Sequence, residues 1–352
     1  MKARIDRLRA ELDGLGAGSF LVSNPVNLRY LTGFESSNAY LLVGRERMLL
    51  ATDYRYLEAA QSLAGIEVVQ GERDLAAWLG PRLGELAEAP VAFEADHLTV
   101  AARERLAAAG TELVATTRVV LALRAVKEPA ELDAVRAAAA VLMHGFETVV
   151  DHGLVGYTER DLAWLVERTL REAGSEAVAF DPIVAAGANG ALPHHHPGER
   201  RIGVGELVLV DAGARVDGYC SDCTRTFATG ALPAELEEAY AVCRRAQESA
   251  LAAVRAGANG REVHELARGT IEESGREHLQ HGVGHGVGLE VHEAPVLREG
   301  VDAPLVAGNV VTIEPGLYLA GRGGVRIEDL VVVGEEGIEV LTTFTKDLLT
   351  LD

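Results

Sequence analysis

The stretch whose reading decides the fold is VLVDAGARVDGYCSDCTRTF, Val208–Phe227. Val208–Gly213 and Tyr219–Phe227 are β-rich runs, and Asp217-Gly218 between them is a strong two-residue hairpin signal. With those two residues as the turn, Val216 faces Tyr219 and Asp211 faces Thr224. Asp222 then lies two positions from Thr224, on the face that carries Asp211. Diagonal cross-strand neighbours of this kind still interact. Two carboxylates so placed repel each other unless cations neutralise them.

A second pair of acids is arranged in a similar way. Val310–Tyr318 and Val325–Val333 read as strands, joined by Gly321-Arg322-Gly323-Gly324. A loop of odd length centred near Gly321 sets Glu314 opposite Glu328, although the loop length leaves neighbouring registers open. His285 lies in His281-Gly282-Val283-Gly284-His285-Gly286, where glycines let the backbone approach another chain segment closely. Asp211, Glu314 and Glu328 fall in otherwise apolar runs, and buried carboxylates need paired charge. Asp211, Asp222, His285, Glu314 and Glu328 together suffice for two divalent cations, which points to metal-assisted hydrolysis. Carboxylates with one imidazole suit manganese, cobalt, iron or zinc better than magnesium or calcium alone.

The motifs Val210-Asp211-Ala212-Gly213, Ser221-Asp222-Cys223-Thr224-Arg225-Thr226, Gly284-His285-Gly286-Val287-Gly288-Leu289-Glu290-Val291-His292-Glu293, Ile313-Glu314-Pro315-Gly316 and Gly324-Val325-Arg326-Ile327-Glu328-Asp329 resemble those of the pita-bread metallopeptidases. Within that family they resemble the proline-specific branch, aminopeptidase P and prolidase, over most of residues 128–352. Asn24–Phe34 is similar to the accessory N-terminal domain of the same proteins. The fold the resemblance implies is α+β. It has a C-terminal pita-bread domain of pseudo-twofold halves, residues 125–352, and a smaller N-terminal creatinase/prolidase-like α/β domain, residues 1–124.

The resemblance also implies roles. Asp211 would chelate one metal, Asp222 and Glu328 would bridge both, and His285 and Glu314 would complete the two spheres. The cations would be Mn2+ or Co2+, with Zn2+ or Fe2+ as alternatives. A water or hydroxide between them would be the nucleophile, and Glu314 the proton carrier. His194, after Ala191-Leu192-Pro193, would face substrate near the scissile bond. His292 would polarise the carbonyl, His281 would touch substrate, and Arg326 would organise a ligand carboxylate. The activity implied is hydrolysis of the Xaa-Pro bond at a peptide N-terminus, in a homodimer.

Dipeptide-specific prolidases of the family often carry an Arg just past the His-Glu-Xaa-Pro segment. Here His292-Glu293-Ala294-Pro295 is followed by Val296. An apolar residue there cannot pair a dipeptide carboxylate. The expectation is therefore an Xaa-Pro aminopeptidase, with Xaa-Pro dipeptidase as the alternative. Creatinase-like C–N hydrolases and metal-free binding modules share the fold but would be expected to lack these ligands.

Other features read as background. His195 and His196 are expected to be solvated loop residues. Cys220-Ser221-Asp222-Cys223 sits in a strand around a proposed ligand and lacks a second such pair, so Cys220, Cys223 and Cys243 read as reduced, small apolar residues. No signal peptide or membrane span is expected, and the placement expected is cytoplasmic. A net charge of −20 over 352 residues argues against nucleic-acid binding.

Before residue 121 strand-like and helical segments alternate. Ser19–Ser23, Tyr40–Val43, Arg47–Ala51, Ile66–Val69 and Val91–Glu94 read as strands, and Tyr54–Leu63, Leu75–Leu86 and Val100–Ala109 as helices. Beyond it, a long helix opens at Pro129, and Thr158 with Asp161 opens another in capping-box style. Leu162, Leu165, Val166, Leu170 and Gly174 match Val263, Leu266, Ala267, Ile271 and Gly275 at one constant offset, which suggests two like halves.

Overall fold

Asp217 and Gly218 turn the chain with φ of 48° and 78°. That backbone follows the right-handed twist of the flanking strands. The register comes out as the turn dictates, with Val216 opposite Tyr219 and Asp211 opposite Thr224. The strands themselves are interrupted. Leu207–Ala212 pairs with Cys223–Ala228, Ala214–Val216 pairs with Tyr219–Cys220, and Ser221-Asp222 lies between the two ladders.

The computed structural model describes residues 1–276 and 281–352. Two units separate by their internal contacts, Met1–Arg124 and Ala125–Asp352. In the larger one, two halves repeat a single plan. The first runs from helices Pro129–His152 and Glu159–Glu172 into the antiparallel strands Ile183–Ala186, Leu207–Ala212 and Cys223–Ala228. The second runs from helices Ala234–Ala253 and Gly260–Glu273 into Gly284–Gly286, Val310–Ile313 and Asp329–Val333, flanked by Glu293–Leu297 and Ile338–Val340. The second helix of each pair has 14 residues. The pseudo-twofold halves expected from the repeat are therefore present.

Each half has its own core. Leu162, Leu165, Val166 and Leu170 pack against Val184, Val208, Val210 and Phe227 in one. Val263, Ala267 and Ile271 pack against Val283, Val311, Ile313 and Val331 in the other. The helices present these residues at a three-to-four spacing that lines one face. Thr158 and Asp161 form the expected reciprocal capping box.

The smaller unit is a six-stranded mixed sheet. Its spatial order is Glu67–Gln70, Met48–Thr52, Ala39–Gly44, Ser19–Val22, Val91–Glu94, Leu113–Thr116. The five expected strands are there within a residue or two. The Leu75–Leu86 helix is not continuous: it breaks into Leu75–Leu79, a tight turn at Gly80–Arg82, and Leu83–Leu86. Pro81 brings no N–H to the helical ladder, and its ring crowds the preceding turn. The expected Tyr54–Leu63 helix shrinks to Leu57–Ala60. Val100–Ala109 is helical only to Leu106, followed by a tight turn that Gly110 ends at φ 82°.

If the two halves are equivalent, removing matched core residues costs alike. Leu170→Ala and Ile271→Ala, both fully buried, are each expected to destabilise the protein by about 2–5 kcal/mol in urea unfolding. A shift within error of zero at either position would show that its half is not packed as described.

Candidate metal centre

Three of the four acids sit where a β-ladder breaks. Asp222 interrupts the first hairpin. Glu314-Pro315 separates Val310–Ile313 from Gly316–Leu319, and Ile327-Glu328 separates Gly323–Arg326 from Asp329–Val333. Ile313 pairs with Asp329 and Gly316 with Arg326, so continuing either ladder sets Glu314 opposite Glu328. Backbone groups at the breaks bond to other strands. The Glu314 N–H donates to Val283 O at 2.7 Å, and the Glu328 N–H donates to Thr224 O at 3.2 Å. The fourth acid, Asp211, lies within its strand and is buried.

His285 comes from Gly284–Gly286. A Cβ on Gly284 would lie 1.9 Å from Thr312 O, so only glycine allows the two strands to approach this closely. The His285 N–H donates to Thr312 Oγ1, which in turn donates to Glu314 Oε1. His285 Nδ1 lies 3.1 Å from Gly286 O. A carbonyl only accepts, so Nδ1 carries a proton and Nε2 faces the acids, 3.2 Å from Glu314 Oε1 and 3.7 Å from Asp222 Oδ2. Asp222, His285 and Glu328 each offer a ligand atom, all within 4.8 Å of one another.

Arg326 joins the remaining acids. Its Nη2 donates to Asp211 Oδ2 at 2.5 Å and its Nε to Thr224 Oγ1 at 3.1 Å, and that hydroxyl donates to Glu328 Oε2 at 2.7 Å. Asp211 Oδ1 and Glu328 Oε1 are fully buried with no hydrogen-bond partner among the described residues. Buried carboxylate oxygens carry a heavy desolvation cost without a positive partner. The donor set of hard oxygens and one correctly oriented imidazole therefore fits divalent cations.

The electrostatics follow from this crowding. Burial first, then the neighbouring carboxylates, push Asp222 and Glu328 well above the ordinary carboxylate range. Burial also raises Asp211, with Arg326 opposing. At Glu314 burial is outweighed by the hydrogen bond and charge of His285, and the carboxyl falls to about 2. His285 moves up in return, since its bond to Glu314 overrides the burial of its charge.

Around this centre stand the other expected residues. His281 Nδ1 donates to Gly282 O at 2.7 Å, so its Nε2 accepts from Tyr318 Oη at 2.9 Å, and Arg326 Nη1 donates to the same Oη at 3.0 Å. Burial drives the His281 pKa down and the Tyr318 hydroxyl up to about 12. His292 packs against His285 with ring centroids 4.3 Å apart and planes inclined by 57°, and partial burial together with that neighbour lowers its pKa. His194 acts electrostatically on both His281 and His292. Val296 stands opposite His285 in the register of its strand. A buried Lys127 Nζ–Glu293 Oε2 pair at 3.1 Å lies next in sequence to His292.

Tyr318 and Thr312 escaped the sequence reading, and Thr224 entered it as a register partner of Asp211 without a role at the site. Their one signal was spacing: Tyr318 lies two residues past Gly316, and each threonine lies two residues from a proposed ligand. His196 is exposed as expected, but His195 is not a solvated loop residue. Its side chain is 13% exposed, and its Nε2 lies 2.8 Å from the buried Glu159 Oε2. Cys220, Cys223 and Cys243 are buried and free. Among the described residues no helix is long and apolar enough to cross a membrane.

Residues 133–335 match metallopeptidase family M24, and residues 4–126 match the creatinase/prolidase N-terminal domain. The chain belongs to metallopeptidase family M24. The expected pita-bread architecture with an N-terminal accessory domain is that of its solved relatives. A Xaa-Pro dipeptidase from Bacillus anthracis superposes with a TM-score of 0.95 at 36% identity, covering 99% of both chains. An X-Pro aminopeptidase from Thermotoga maritima MSB8 gives 0.88 at 34% identity, covering 99% of this chain and 100% of the other. The Xaa-Pro dipeptidase of Pyrococcus furiosus is 30% identical, covering 99% of this chain and 100% of its own length.

The shifts have a definite sign in stability. Asp211, Asp222, Glu328 and His285 have folded values above their unfolded ones. In chelated protein their stabilising contribution is complete below the unfolded carboxylate value, roughly pH 4, and is lost as pH rises through the folded values. Glu314 acts oppositely, and its contribution is lost only as pH falls toward about 2. The melting temperature in chelator is thus expected to decline from about pH 5 to about pH 8, and added Mn2+ to raise it more at the upper pH, where protons no longer compete. A chelated protein that stabilises over this interval and ignores Mn2+ would contradict the arrangement.

Proposed function

We propose that this chain is a two-metal exopeptidase that cleaves the bond before proline at the N-terminus of peptides. The observation that carries this reading is the convergence of Asp222, His285, Glu314 and Glu328 on one buried point, beside an Arg326-bound Asp211. Asp211, Asp222, His285, Glu314 and Glu328 would hold the cations. Bound there, divalent ions act as Lewis acids that acidify water and polarise a carbonyl.

The rest falls to the side chains. The X-Pro nitrogen carries no hydrogen and, like any amide nitrogen, must gain a proton as the C–N bond breaks. Glu314 is ionised at neutral pH and can take the proton of the attacking water and hand it to that nitrogen. Its low value belongs to the ion pair with His285. His292, held neutral, donates to the carbonyl oxygen as charge develops on it. His194 and His281 flank the substrate, and Arg326 keeps Asp211 in place while the reaction runs.

An aminopeptidase that accepts longer Xaa-Pro-Xaa peptides is the first reading of substrate length. It is supported by Val296, an apolar side chain beside His285 that offers no partner for a free carboxylate. The second reading is a dipeptidase. It is favoured by the names of the Bacillus anthracis and Pyrococcus furiosus relatives.

The purified protein loaded with Mn2+ or Co2+ is expected to release the first residue from Xaa-Pro-Xaa and to lose this activity on exhaustive chelation. His292→Ala is expected to lower kcat by about 10²–10³-fold with metal content unchanged. Val296→Arg is expected to move the preference toward Xaa-Pro dipeptides. Unimpaired turnover after chelation would falsify the metal reading. A strong wild-type preference for the dipeptide would instead select the second reading of length.

A further inference from the structure

The segment from Ala186 to Gly198 carries His194 and hangs on one carboxylate. Glu159, the first residue of the Glu159–Glu172 helix, is completely buried. Its Oε1 accepts from Ala186 N at 2.9 Å and from Asn189 Nδ2 at 2.9 Å. Its Oε2 accepts from His195 Nε2 at 2.8 Å and from Gly198 N at 3.2 Å. All four partners lie in this one segment. Burial opposes the charge of Glu159, but these donors outweigh it and lower its pKa, so it remains an anionic acceptor.

The opposite side of the segment is held from the metal centre. Arg326 Nη1 reaches Pro193 O at 3.4 Å while Nη2 grips Asp211. Gly190 lies against Gly324, where a Cβ on Gly190 would stand 2.8 Å from Gly324 N. His194 therefore sits between two anchored residues, with Pro193 tied to Arg326 and His195 tied to Glu159. His194 and His196 are exposed while His195 turns inward.

We propose that Glu159 is a positioning residue for the reaction: with His195 as its handle, it holds the loop that presents His194 to the substrate. This rests on the reading above, in which His194 faces the peptide. A mere helix cap would not need four bonds to a single loop. Glu159→Gln keeps the size of the side chain but replaces one acceptor by a donor, which faces the Gly198 or Asn189 donors. His195→Ala removes only one bond and leaves the helix start intact.

Two measurements test the proposal on the Mn2+-loaded protein. The first is amide hydrogen exchange. Glu159→Gln is expected to speed exchange across residues 186–198 by at least about tenfold while the Leu207–Ala212 strand stays protected. The second is kinetic. Glu159→Gln and His195→Ala are each expected to lower kcat on an Xaa-Pro-Xaa peptide, the former by up to about 10²-fold, the loss that accompanies misplacement of a reacting group. Metal stoichiometry should be unchanged. In a His194→Ala background, neither change should cost anything further. Unchanged exchange in the loop overturns the seat, and losses that simply add to that of His194→Ala overturn the route through His194. A wild-type protein inactive on all Xaa-Pro peptides would instead defeat the proposed function, and the exchange comparison would still decide whether Glu159 seats the loop.

Discussion

Mutual repulsion among four clustered carboxylates, three buried and Glu314 nearly so, is the constraint around which the larger unit is organised. Asp211, Asp222, Glu314 and Glu328 crowd a region where burial alone already penalises their charge. Of the positive groups within the cluster, Arg326 binds Asp211 directly, and His285 lies 3.2 Å from Glu314 and 3.7 Å from Asp222. Two oxygens, on Asp211 and Glu328, remain buried without a hydrogen-bond partner among the described residues. A fold that gathers such a cluster and leaves these atoms pointing inward has built a receptor for positive charge. Its apolar surroundings strengthen that preference, because attraction between unlike charges grows as water is excluded.

Gathering the acids requires a backbone that departs from regular pairing at chosen points. A continuous strand would alternate side chains strictly between two faces. Asp222, Glu314 and Glu328 lie instead at interruptions, and the backbone amides of Glu314 and Glu328 are satisfied across the fold by Val283 and Thr224. The bond from Glu328 to Thr224 links the strand of one half to the strand of the other. The pseudo-symmetry thus has a mechanical consequence: the centre lies where the three-stranded sheet of the first half meets the five-stranded sheet of the second, and Glu328 of one half is held by a strand of the other.

Much of this was legible in the sequence because short-range signals set long-range register. Asp217-Gly218 specifies a two-residue turn, and from it the meeting of Asp211 with Thr224 follows by counting. The loop centred on Gly321 does the same for Glu314 and Glu328, since Leu319 pairs with Gly323. What was missed had weaker or competing signals. The Pro25–Thr32 helix carries an Asn24 cap, a proline at its start and Gly33 at φ 75° beyond its end, but its eight residues are too few for a periodic apolar face to stand out. The break at Gly80-Pro81 was hidden by apolar residues that continue the helical pattern on both sides. Tyr318 is ordinary strand composition until tertiary structure sets its hydroxyl between His281 and Arg326.

His195 shows a different limit. Three consecutive histidines in a polar loop look alike in sequence, and only alternation along the backbone separates them. The inward one meets Glu159, a residue that local pattern identifies simply as the start of a helix after a Thr158 cap. Ligands in strands or at the short breaks between them are fixed by the flanking ladders, whereas a group on a loop between Ala186 and Gly198 must be fixed by side chains. That difference explains why ligands in or directly beside paired strands could be read by counting residues, and why the support for His194 could not.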